Sequence, residues 1–260
     1  MDLVEVKSGG FAQTSRHPWE RARLALVARL IARHAPLAEG DVVLDVGCGD
    51  TFVVESLARV YPGVQFYAVD SAFTPELIDT FTRRMTVRNV ALFASMDEVP
   101  AGRPASLVLL MDVLEHVADD RGMLRGLANG PLGTAATRFL ITVPAYGSLF
   151  CSHDRFLGHY RRYSFAEFGA LLDAARLAPM SSGHLFTSLV PLRIVQVVRE
   201  RLVPPSQAPP TGLASWRGSE GAARVMSAVL ELDGRLSLAL LALGIRLPGL
   251  SNFAVCRTSA

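Results

Sequence analysis

"VVLDVGCGDT", residues 42 to 51, runs an apolar stretch straight into two glycines one residue apart. Val42, Val43, Leu44 and Val46 suit a strand buried on both faces, and Gly47 and Gly49 remove the Cβ atoms that would block a ligand from its end. A helix starting after Thr51 adds unsatisfied backbone N–H groups, so a nucleotide-like ligand can lie against this turn. The dinucleotide fingerprint requires a further glycine three residues after Gly49, where Phe52 stands, which disfavours nicotinamide and flavin cofactors. Asp45 lies inside the strand, before the glycines, where a cationic amine can use its charge.

Outward from this stretch, short apolar runs alternate with helical ones. "QFYAV" (65–69), "VALF" (90–93), "SLVLLM" (106–111) and "RFLITV" (138–143) read as strands, and 51–61, 74–85 and 119–129 as helices between them. That alternation predicts an α/β fold with a parallel sheet covered on both faces. An amphipathic helix is expected from Trp19 to Ala35, and another from Ser164 to Arg176, where Ser164 and Glu167 have capping-box spacing. Late strands are expected around Gly183–Ser188 and Asn252–Arg257. Between them lie about sixty residues that a compact sheet does not need, among them the Pro-rich "PPSQAPPTG" (204–212), read as an exposed, mobile loop. The expected division is an N-terminal helical segment at 1–40, a cofactor-binding α/β core at 41–188, a helical insertion or cap at 189–248, and the last strand at 249–260.

With 260 residues, 50% of them hydrophobic, the chain can bury one large core. A net charge of +2 gives no general attraction to nucleic acid, and no aromatic-and-basic strand platform appears, so nucleic acid is not an expected partner. Cys48, Cys151 and Cys256 are far apart and lack metal-like spacing, which suits a reducing compartment. "MDLVEVKSGG" is acidic where an export signal would be basic, and "LSLALLALGI" (236–245) is about half a membrane span, so a cytoplasmic protein is expected. Arg16, Arg21, Arg23, Arg29 and Arg33 face the single acid Glu20 within 16–34, and the region 185–250 is apolar. This pairing can attract an anionic surface in peripheral membrane contact, or it is a solvated face over a packed core.

Asp70 closes "FYAVD", 21 residues after Gly49, where a carboxylate can accept hydrogen bonds from both hydroxyls of a ribose. Here the sequence resembles the class I S-adenosylmethionine-dependent methyltransferases, from about Val42 to Val143. The resemblance implies a Rossmann-like sheet with S-adenosylmethionine as cofactor. It also implies that Asp45, Gly47, Cys48 and Gly49 wrap its methionine part, that Asp70 holds the ribose, and that Ser95 and Met96 border the adenine. Thr51 stands where that family usually has another glycine, so it is a cofactor neighbour that either narrows the pocket or donates its hydroxyl. "LLMDVLEHV" (109–117) resembles the family's fourth-strand motif and places Asp112 at the ligand-binding end of the sheet. His116, just beyond, is read either as structural or as touching substrate. Each residue also has a plainer reading: a tight connection for the glycines, a helix cap for Asp70.

"VPAYGSLFCSHDRFLGHYRRYSF" (143–165) leaves the carboxyl end of the fifth strand and so faces the ligand crevice. It resembles a subgroup with a VPAY…HD…GHYRRY signature, associated with saccharide, lipid-linked or other secondary metabolites. This points to an anionic or apolar small-molecule acceptor. His153 and His159 are candidate bases, with Asp154 available to orient either. Tyr160 and Tyr163 are candidates to bind the acceptor or line the sulfonium, with Tyr146 on the acceptor side. Arg161 and Arg162 are read as clamps for an acidic group of the substrate, or as internal ion pairs that hold the loop to Asp154, Glu167 or carbonyls. His153, Asp154 and His159 lack the usual spacing of a zinc site, so no metal is expected. The functional reading is methyl transfer to a small molecule. Its rivals are a non-catalytic scaffold that binds the same cofactor and an enzyme of non-methyl chemistry.

Overall fold

The computed structural model describes residues 16–203 and 218–259. The Pro-rich stretch 204–212, expected to be a mobile loop, lies outside the described residues, as does the acidic N-terminus.

The first helix, α1 (Pro18–His34), starts at a proline, and the His17 ring accepts the Trp19 N–H at 3.1 Å. There follow β1 (Val42–Val46), α2 (Phe52–Val60), β2 (Gln65–Val69), α3 (Pro75–Arg84), β3 (Val90–Phe93), β4 (Leu107–Met111), α4 (Asp120–Asn129) and β5 (Arg138–Pro144). Thr74 and Asp119 cap α3 and α4 by accepting the N–H groups of Leu77 and Gly122. After β5 come α5 (Ser152–Phe156), α6 (Phe165–Ala174), β6 (Leu177–Leu185), α7 (Leu189–Leu202), α8 (Glu220–Ala242) and β7 (Ser251–Thr258). The expected capping box of α6 is present, with Ser164 and Glu167 each accepting the other's backbone N–H.

The seven strands form one sheet in the order β3-β2-β1-β4-β5-β7-β6. The first five are parallel, and β7 is antiparallel to both β5 and β6. The strand order reverses between β1 and β4, which is where an open parallel sheet leaves a crevice beyond its carboxyl ends.

Both faces of the sheet are covered. On one, Val43, Phe66, Leu109 and Leu140 pack with α1, α2, α3 and α8; on the other, Leu44, Val108, Leu110 and Ile141 pack with α4 and α6. Every β1 residue is buried, which explains its unbroken apolar run. Gly234 of α8 faces Leu26 of α1 so closely that a Cβ there would lie 2.3 Å from a Leu26 methyl. The absent side chain therefore lets the two helices touch.

One expected strand is displaced. β6 starts at Leu177 and ends at Leu185 rather than spanning 183–188. Its early and middle positions carry Pro179, Ser181 and Ser182, which lack the apolar run of a strand, and a register shift between Pro179 and Ser181 absorbs the proline at the sheet edge.

Candidate active site

The carboxyl ends of β1, β2, β4 and β5 bring the charged and glycine residues together. At the end of β1 the chain turns through Gly47 (φ 69°) and Gly49 (φ 60°). A Cβ on Gly47 would sit 2.6 Å from a Val113 methyl, so only glycine fits there. Gly49 N–H donates to Asp70 Oδ2 at 2.9 Å, and Ala72 N–H donates to Asp70 Oδ1 at 2.9 Å. Asp70 is thus fixed at the turn while partly exposed, and each oxygen keeps a lone pair for another donor. Thr51 is buried in a left-handed conformation (φ 67°), and its hydroxyl has no partner among the described residues. Cys48 is buried, and its amide donates to Val69 O at 3.2 Å.

Asp45 is the electrostatic oddity of this end. It is 1% exposed, and neither carboxyl oxygen has a hydrogen-bond partner among the described residues. Burial, with the charge of Asp70 adding to it against the pull of Arg23, pushes its pKa up to about 7. A buried acid without a partner beside a Cβ-free turn calls for a cation, and these residues suit a cofactor with an ammonium group and a ribose. Past β3, Ser95 Oγ accepts the Asp97 N–H at 3.1 Å, and Met96 packs against the second core cluster.

Asp112, just past β4, is occupied from within the chain. Its Oδ2 accepts Arg23 Nη1 at 2.7 Å and its Oδ1 accepts the Thr142 hydroxyl at 3.0 Å. Asp112, expected at the cofactor, is thus tied to α1 and β5 within the chain, its side chain remaining 21% exposed. Arg23 also donates to Met111 O at 3.0 Å and lies 4.9 Å from the Trp19 ring centroid. The sequence reading placed Arg23 only on a basic helix face; its role here depends on tertiary packing.

The loop after β5 folds back on itself around Asp154, which is fully buried. Asp154 accepts the Cys151 N–H at 2.9 Å and Arg162 Nε at 2.7 Å, and its Oδ1 pairs with His159 Nδ1 at 2.9 Å. Burial alone would raise this carboxyl, but the His159 hydrogen bond and the Arg162 charge hold it well below the usual carboxylate range. Of the two candidate bases, Asp154 therefore orients His159. His153, on α5, is kept neutral, its pKa lowered to about 4 by burial and the nearby Arg193 charge.

Several expected substrate contacts turn inward. Arg162 is 7% exposed and also donates to Ala145 O at 3.0 Å, so its guanidinium is turned inward and ties the loop together. Tyr163 is 4% exposed and donates to Asp120 Oδ2 at 2.8 Å. Arg161 pairs with Asp120 at 2.9 Å and with Ala118 O at 2.9 Å. Internal pairing, one of the two readings of the arginines, is what the loop displays. Tyr160 is 63% exposed, its amide donating to Glu115 O at 2.8 Å. Tyr146 (φ 62°) stacks its ring on His184, with centroids 5.7 Å apart.

Sequence reasoning missed Glu115. It is fully buried, and neither carboxyl oxygen has a side-chain partner among the described residues. Burial and the Asp112 charge push its pKa well up. His116, next to it, meets the His159 ring edge-on with centroids 4.6 Å apart. An acid directly before His116 was the available signal, but only the fold of the later loop brings His159 to it.

A family model described as a methyltransferase domain matches residues 19–177. The ubiquinone biosynthesis O-methyltransferase of Xanthomonas campestris pv. campestris (strain B100) is 33% identical over 136 residues, 50% of this chain and 53% of that protein. The chain thus spans about half the length of the curated relatives it matches. Among solved structures, the protein crystallised with the Trm112 methyltransferase activator of Haloferax volcanii superposes with a TM-score of 0.56 at 18% identity, covering 94% of this chain and 90% of that one. The plantazolicin methyltransferase BamL, solved with a triazolic desmethylPZN analogue and SAH, gives 0.53 at 14% identity, covering 93% and 84%. These likenesses show a shared fold, the Rossmann-like class I sheet. The family match takes in more than half of the residues, and the chain belongs to this family of methyltransferase domains.

Proposed function

We propose that the protein transfers a methyl group from S-adenosylmethionine to an oxygen atom of a small-molecule acceptor. The observation that carries this reading is Asp45, buried with no hydrogen-bond partner among the described residues, beside the Cβ-free turn at Gly47 and next to Asp70. Asp45 would face the cofactor's ammonium group, Asp70 its ribose hydroxyls, and Ser95 and Met96 its base, while Gly47, Cys48, Gly49 and Thr51 form the floor. When bound, S-adenosylmethionine supplies a methyl group on a sulfonium, open to in-line displacement by an acceptor. An oxygen acceptor is supported by the relatives named O-methyltransferases.

We assign the acceptor to the side of the crevice beyond the carboxyl ends of β4 and β5, where the Glu115–His116–His159 cluster lies. The inward-turned Arg162 and Tyr163 hold this side in place without touching the acceptor. Calorimetry with S-adenosylmethionine and its demethylated product tests the cofactor half, with saturable one-to-one binding expected. Product mass after incubation with methyl-labelled cofactor and a panel of hydroxylated acceptors tests the other half. Binding without any labelled product across the panel favours a non-catalytic scaffold, and no binding removes the reading.

A further inference from the structure

We propose that Glu115, His116 and His159 form a binding site for one divalent first-row cation, of the Mn²⁺ or Zn²⁺ type, at the acceptor end of the crevice. One ligand atom from each of the three lies within 4.8 Å of the other two. With bonds of about 2.1 Å, ligands of a tetrahedral ion lie about 3.4 Å apart, so closure on a cation draws these atoms together by at most about 1.4 Å, within reach of side-chain rotation. Two imidazole nitrogens and one carboxylate oxygen suit first-row transition ions better than Mg²⁺ or Ca²⁺. Three ligands leave further coordination positions for oxygen atoms of water or of an acceptor.

Three features favour a cation over a bare histidine base. A base needs only His159 and Asp154; it gives no reason to bury, beside His116 and His159, a Glu115 carboxyl that has no side-chain partner among the described residues. Asp154, fixed by Arg162 and the Cys151 amide, takes up His159 Nδ1 and leaves Nε2 for the cluster. That is the carboxylate–histidine pairing that commonly orients a metal-bound imidazole. The Tyr160 amide also bonds Glu115 O at 2.8 Å, so the ligand-bearing segments are tied at the backbone before any ion arrives. Asp112, the other nearby acid, is taken by Arg23 and Thr142 and is not a ligand.

The inference rests on the methyl-transfer reading for its role in handling the acceptor, but not for its occupancy. It is therefore tested on the full chain, stripped with a chelator, without cofactor or acceptor. Mn²⁺ binding is followed by the loss of its free-ion electron paramagnetic resonance signal, and Zn²⁺ binding by calorimetry. The expected result is one saturable site, weakened more than about 100-fold in Glu115→Gln and in His159→Ala. Asp154→Asn should weaken it about 10- to 100-fold. His116→Ala, read the same way, stands in for any variant whose circular dichroism shows it unfolded. S-adenosylmethionine affinity should stay unchanged in all of them. No saturable binding of either ion, or equal binding in wild type and variants, overturns the proposal. Cofactor binding without metal binding removes the cation and leaves the methyl-transfer reading in place; metal binding without cofactor binding does the reverse.

Discussion

Asp70 is held by two backbone N–H donors before any ligand arrives, so its carboxylate is aimed rather than free to rotate. If it holds the ribose, Asp70→Ala should weaken S-adenosylmethionine binding by roughly 1.5–3 kcal/mol, about tenfold to a hundredfold, in a variant that still folds. Unchanged affinity by calorimetry would remove that assignment. Tyr163 calls for the opposite pattern. Its hydroxyl ends on buried Asp120, which keeps Arg161 as a second partner. Tyr163→Phe should therefore cost about 1 kcal/mol of stability in thermal melts and leave the acceptor's KM unchanged. A raised KM with an unchanged melting temperature would return Tyr163 to the substrate. The residue scale is also where sequence reading ends. The spacing of Gly49 and Asp70 could be read because both lie at ends of adjacent parallel strands. The Asp112–Arg23 pair could not, because a helix 89 residues earlier supplies the partner.

Among elements, the contact between α1 and α8 depends on the smallest side chain. Gly234→Ala puts a methyl group 2.3 Å from Leu26 Cδ1, well inside any tolerated contact, so α8 must move or Leu26 must leave its rotamer. The expected cost is about 1–3 kcal/mol in denaturant unfolding, despite the better helix propensity of alanine. The double variant with Leu26→Ala should recover part of it; a neutral or stabilising Gly234→Ala would mean the helices do not meet as described. The first five strands were legible because each is an apolar run bounded by helix starts, several of them marked by Thr, Asp or Pro caps. β6 was not, because an edge strand exposed along part of its length tolerates Pro179 and two serines, and these break the apolar run. The fold of the loop after β5 was legible only as chemistry. Its arginines could pair with ligand or with protein, and that choice is made by the burial of Asp154, which no local pattern encodes.

At the scale of the whole molecule, the site is a source of instability that ligand binding should relieve. Asp45 is buried with a pKa raised to about 7, whereas in the unfolded chain it titrates near 4. Between these values the folded state holds a proton that the unfolded state has lost. Stability from this group is therefore greatest below about pH 4, falls as pH rises to about 7, and is level beyond that. The full difference is at most about 4 kcal/mol, since relaxation around a charged site reduces it. Asp154 does not obscure this window, because its lowered pKa places its own loss of stability on the acid side. Glu115, with its pKa raised, slopes in the same direction as Asp45, so the wild-type curve alone does not isolate either group. The comparison with Asp45→Asn does. Melting temperatures of the free proteins from pH 5 to 8 should show the variant gaining on the wild type as pH rises. Saturating S-adenosylmethionine should remove Asp45's share of the wild-type slope and bring that curve parallel to the variant's, because an ammonium beside Asp45 lowers its pKa again and the proton is released on binding. Calorimetry in buffers of different ionisation enthalpy should then detect release of about half a proton at pH 7 in the wild type and markedly less in Asp45→Asn. Parallel melting curves of the free proteins, with no proton released in either, would mean that Asp45 is ionised or satisfied in the free state and that the cofactor's charge is met elsewhere.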